Sequence, residues 1–129
     1  IRAHYLRSDA RVWPELNELG IKRDYSLGYA DKPGFKSGMC RPYRAYDLKS
    51  DNVLDLEIVP TIVMDSSLKT YLGLSPYESV ELVKKLNDEI RKVGGVMVTL
   101  FHNSSVSDYG YWKGWREAYQ KIVELCSDR

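Results

Sequence analysis

The spacing of apolar positions changes several times along the chain, and each change marks a candidate element. Residues 2–6, Arg-Ala-His-Tyr-Leu, read as a short strand. Ser8 or Asp9 then offers a helix N-cap. Val12, Trp13, Leu16 and Leu19 recur at helical spacing until Gly20. Pro14 is tolerated there because it falls in the first turn, where its missing N–H has no partner to lose. Residues 21–27 read as a second strand, and residues 28–38, with their glycines and Pro33, as a long loop. Residues 39–48 suggest an extended arm. Residues 54–63 form a third apolar strand interrupted by Pro60, which argues for an edge, a bulge or a break. Asp65 can cap a short helix over 66–72.

The clearest helix follows. Ser75-Pro76-Tyr77-Glu78 is a capping box with proline at the first helical position. Val80, Val83, Leu86, Ile90 and Val93 then recur every three or four residues, and Gly94-Gly95 ends the pattern. Residues 96–101 are apolar almost throughout, as in a strand buried on both faces. Trp112, Trp115, Tyr119, Ile122 and Cys126 place one stripe on a last helix. Alternating strands and helices imply an α/β fold with parallel pairing, right-handed crossovers and helices on the sheet faces. Ligands of such sheets bind at the carboxyl ends of the strands. That rule selects Arg7, Ser8, residues 29–31, Asp65, His102 and Asn103.

A length of 129 residues fits one domain. Nineteen Lys and Arg against 18 Asp and Glu leave a net charge of +1, which gives no footprint for DNA or RNA. No stretch approaches the ~20 apolar residues that span a membrane. Cys40 and Cys126 lie far apart with no CxxC, so two unpaired thiols are favoured over one long-range disulfide. The cysteines leave the compartment undecided. The chain starts at Ile1 with no signal peptide, and is expected to begin inside a longer gene product. Ten tyrosines and three tryptophans are a rich supply of flat, amphipathic surface. Sugar clefts use such rings, and so do ordinary cores, the favoured reading here. The absence of a phosphate-binding glycine loop, GxSxG and HExxH removes several enzyme classes.

His102 is the sharpest candidate. It follows the apolar strand, where an imidazole can serve as acid, base or metal ligand, or simply hydrogen-bond a loop. His4, beside Arg2, reads as a partly buried structural histidine. Two histidines are few for a catalytic zinc, which takes about three protein ligands. Among the acids, Asp65 is most simply a helix cap and Asp24 a solvent-facing strand charge. Asp31, in the loop near the strand ends, has the better claim. Arg41, Tyr43, Arg44 and Tyr46 could grip a sugar or form a solvated arm.

Several segments together resemble bacterial polysaccharide deacetylases. They are Arg2-Ala3-His4-Tyr5, Tyr25-Ser26-Leu27-Gly28-Tyr29-Ala30-Asp31, Gly34-Phe35-Lys36-Ser37-Gly38-Met39-Cys40-Arg41-Pro42-Tyr43, Ile62-Val63-Met64-Asp65 and Leu100-Phe101-His102-Asn103. The resemblance covers most of the chain. It implies the chitooligosaccharide-deacetylase homology fold, a distorted (β/α) barrel, of which this chain would be the C-terminal part. It also implies metal-dependent hydrolysis of acetyl groups on a polysaccharide or oligosaccharide. Leu100-Phe101-His102 is similar to the family's late Leu-x-His motif, which makes His102 the acid. Arg2-Ala3-His4-Tyr5 is similar to Arg-x-Pro-Tyr. Arg2 would then orient the catalytic aspartate, and the Tyr5 backbone N–H would help hold the oxyanion. Asn103, Asp31 and Tyr43 are further substrate-binding candidates.

The family's Asp-Asp and His-x-x-x-His motifs, which should precede Arg2, are absent, and its Asp-and-Trp motif is not convincingly present. The divalent metal, zinc or similar, is therefore expected in the intact domain and not on this chain alone, which should have little activity by itself. A half barrel leaves open strand edges, so the chain is expected to self-associate or to pair with the missing half. The rival reading is a non-catalytic carbohydrate-binding or scaffolding α/β domain. A polysaccharide substrate would suit the cell envelope or the extracellular space.

Overall fold

The computed structural model describes residues 1–127. Two small sheets and three α-helices, α1 Trp13–Glu18, α2 Pro76–Lys92 and α3 Trp115–Ser127, make a mixed α/β fold. The longest helix forms where the pattern places it. Ser75 Oγ accepts from the Glu78 N–H at 3.3 Å, and the Glu78 carboxylate accepts from the Ser75 N–H at 2.9 Å. The two bonds satisfy donors that a helix start otherwise leaves orphaned. α2 and α3 pack through Val83, Ile90, Trp115 and Ile122, and the same apolar cluster includes Ile62, Val63, Leu68 and Cys40.

The first sheet has the order β1–β3–β2. β1 (Arg23–Asp24) runs parallel to β3 (Asn52–Ile58), while β2 (Tyr43–Asp47) runs antiparallel to it. Ala45, Leu56 and Ile58 are buried under α1 and make a second core. The second sheet is one parallel pair, β4 (Val63–Met64) with β5 (Thr99–Leu100). The extended arm expected over 39–48 is thus a strand of a hairpin. Among the described residues the strands do not close into a barrel. No helix there is long and apolar enough to cross a membrane.

Several local expectations are corrected. Residues 2–6 are not a strand. His4–Leu6 is a tight 3₁₀ turn with Tyr5 at φ 58° and Leu6 at φ 51°. Burial of the Leu6 side chain, 2% exposed, offsets this left-handed backbone. The strand expected over 54–63 breaks into β3 and β4 across residues 59–62, at Pro60. The apolar run 96–101 contributes only Thr99 and Leu100 as strand, both half-buried, because β4 beside it is equally short. The helix expected over 66–72 is a π-helical turn, Ser67–Tyr71. Asp24 does not face solvent. It is 2% exposed and accepts from the Ser26 N–H at 2.8 Å and from the Ser26 hydroxyl, which in turn accepts from the Ala3 N–H at 2.7 Å. This relay ties the N-terminal segment to the end of β1.

Candidate functional site

β4 and β5 run side by side and end together, so the residues just beyond them, Asp65 and Phe101-His102, face one another. Asp65 is 0% exposed. One of its oxygens accepts from the His102 main-chain N–H at 2.7 Å, and the other accepts from the His102 ring at Nδ1, also at 2.7 Å. The second oxygen also accepts from the Ser66 N–H at 2.6 Å. A buried carboxylate needs such a set of donors. The His102 carbonyl is held as well, by the Ser105 N–H at 3.0 Å and the Ser105 hydroxyl at 2.7 Å. Main chain and Nδ1 are therefore fixed. Among the described residues Nε2 has no partner, and the side chain is 44% exposed. Asp65 thus does more than cap a helix: it sets the tautomer and the direction of an imidazole whose other nitrogen is free to exchange a proton.

The imidazole opens into a cavity of ≈ 420 Å³ that is also lined by Arg2, His4, Tyr5, Ser66, Thr70 and Tyr71. Two segments separated by almost the whole sequence, Arg2 to Tyr5 and the end of β5, so meet at one cleft. The Arg2 guanidinium lies over the Tyr25 ring, 5.4 Å from its centroid. Partial desolvation lowers its pKa, opposed by the charge of Tyr25. Among the described residues the Tyr5 N–H has no hydrogen-bond partner. His4 is exposed rather than partly buried, and its ring stacks on Tyr5 at 4.3 Å. Among the described residues no aspartate or glutamate lines this cavity.

Other sequence-derived candidates lie elsewhere. Asn103 is exposed and spends its side chain on the Ser104 N–H at 2.9 Å. Asp31 is exposed, and neither it nor Asn103 is among the cavity's lining residues. Tyr43 packs against the core of the first sheet, where burial raises its pKa despite the opposing influence of the nearby Ser37 hydroxyl. Arg44 pairs with Asp55, and Arg41 donates to the Val93 carbonyl, so that cluster is divided among separate contacts. Both cysteines are free. Sequence reasoning passed over Ser66, Thr70 and Tyr71. The only signal for them was their position just after a strand-end acid.

A bound metal ion needs about three grouped protein donors. Among the described residues no group of three or more His, Cys, Asp and Glu is placed to hold one, and Asp65 already occupies the Nδ1 of His102. No family model, curated protein or solved structure matches the chain.

Proposed function

We propose that this chain supplies the acid half of a carbohydrate deacetylase, with His102 as the proton donor to the leaving group. The observation that carries the reading is the Asp65–His102 pair, beside a cavity that Arg2 and Tyr5 also line. The imidazolium gives its Nε2 proton to the nitrogen or oxygen leaving the acetyl carbon. The C–N or C–O bond breaks, and the glycan departs as free amine or hydroxyl while the acetyl group, having taken up water, departs as acetate. The neutral ring keeps its Nδ1 proton, hydrogen-bonded to Asp65, which orients it. The Tyr5 N–H is available to the oxyanion, and Arg2 to a neighbouring carboxylate. The metal and base implied by the resemblance would come from residues outside this sequence.

The test is His102→Ala in the full gene product, with acetate release from an N-acetylated chitooligosaccharide and an O-acetylated xylooligosaccharide as the readout. Loss of general-acid help predicts a ~10²–10⁴-fold fall in turnover with the fold intact. Unchanged turnover, or no acetate from the unsubstituted protein on either substrate, refutes the reading.

A further inference from the structure

We infer that Tyr71 is a sugar-stacking platform of the His102 cavity, taking the C–H face of a pyranose ring in a neutral glycan. The inference rests on the carbohydrate reading above and adds a residue and a contact to it. Tyr71 lines the cavity beside Ser66, Thr70 and His102, and its side chain is 56% exposed. Among the described residues its ring stacks on no other ring and meets no cation, and its hydroxyl makes no hydrogen bond. An aromatic face with hydroxyl groups beside it matches a pyranose ring, apolar on its C–H face and hydroxylated at its edge, and the wall's guanidinium, Arg2, is stacked on the Tyr25 ring.

The backbone supplies a second, independent observation. Residues three apart on an α-helix share a face, so an α-helical turn would point Tyr71 the same way as Leu68. Leu68 is 0% exposed and belongs to the core. The turn instead closes with the Leu72 N–H donating to the Ser67 carbonyl at 3.1 Å, a five-residue step. That wider turn separates the two side chains, one into the core and one into the cavity. π-Helical turns are rare and concentrate at functional sites.

The turn is also braced. The Ser67 hydroxyl donates to the Ala30 carbonyl at 2.9 Å, and the Lys69 ammonium sits 4.5 Å from the Tyr111 ring centroid and 5.2 Å from that of Trp115. A ring held by a fixed backbone loses little freedom on binding, which favours recognition.

The experiment is an NMR amide-shift titration of this chain and its Tyr71→Ala and Tyr71→Phe variants with cellotetraose and with N-acetylchitotetraose. Both substitutions alter an exposed ring, and superimposable spectra away from the cavity verify the fold. Loss of one aromatic face predicts a ~5- to 10-fold rise in Kd for both sugars in Tyr71→Ala. Tyr71→Phe keeps the face and should bind within about twofold of the unsubstituted chain. Equal binding by Tyr71→Ala overturns the proposal. So does an equal loss in Tyr71→Phe, which would assign the contact to the hydroxyl, and so does the absence of any shift up to roughly 10 mM of either sugar. Cellotetraose carries no acetyl group, so its arm reads stacking apart from chemistry. Binding through Tyr71 with no acetate released by the full gene product sinks the enzyme and leaves the platform. Acetate release unaffected in rate and KM by Tyr71→Ala sinks the platform and leaves the enzyme.

Discussion

Asp65→Asn tests the centre of the site with one atom exchanged. The carboxylate presents two acceptors, one to the His102 main-chain N–H and one to both His102 Nδ1 and the Ser66 N–H. An amide presents one oxygen and one NH₂. Its oxygen can face the His102 N–H, which leaves the Ser66 N–H against the NH₂ and forces the imidazole to carry its proton on Nε2. Alternatively the oxygen faces Ser66 and Nδ1, and the His102 N–H loses its acceptor. Either way one part-buried main-chain donor, facing the buried side chain at 65, goes unpaired, a cost of about 2 kcal/mol. At ~2.1 cal/mol/K of unfolding entropy per residue over 129 residues, the melting temperature should fall by ~7 °C. Calorimetry reads that shift, and imidazole ¹⁵N shifts read the tautomer. Asp9→Asn is the control, since Asp9 pairs with Arg11 on the surface and its loss should scarcely move the transition. A melting temperature for Asp65→Asn within about 2 °C of the parent would mean the Asp65–His102 hydrogen bonds are not made in solution.

Two further substitutions examine the scaffold. A Cβ on Gly95 would lie 2.3 Å from Cys40 Sγ and 3.1 Å from a methyl of Ile90, so Gly95→Ala should cost ~1–3 kcal/mol in urea unfolding. Adding Cys40→Ala should recover part of that loss, and strict additivity of the two changes would refute the clash. Asp55, hydrogen-bonded to Lys22 and Arg44, has its pKa lowered from 3.8 to about 2. Its contribution is present above its unfolded value and disappears as pH falls through about 2. Asp55→Asn should therefore flatten the acid limb of stability between those values, with its destabilising effect largest at neutral pH and smallest near pH 2. An unaltered acid limb would remove Asp55 from the account.

What could be read from the sequence was local. The capping box at Ser75 and the apolar repeat through Ile90 need only neighbouring residues, and α2 forms where they place it. Pro60 announced the break between β3 and β4. The site itself was legible only in halves. Position after an apolar strand marked out His102, but Asp65 carries the local signature of a cap, and its decisive partner lies 37 residues away. No periodicity encodes that pairing. The apolar run 96–101 was over-read because a ladder can be no longer than its shorter strand, and β4 has two residues. The left-handed turn at Tyr5 and Leu6 carries no glycine to betray it, and the π-helical turn at Ser67 uses residues at home in any helix.

The split of the sheet at Pro60 turns residues 58–65 into a tendon. All eight are buried, and they run from the outer hairpin directly to Asp65. Slack has nowhere to collect, because no residue along this path faces water. The outer hairpin and the carboxylate are thus joined by a single stretch of buried chain.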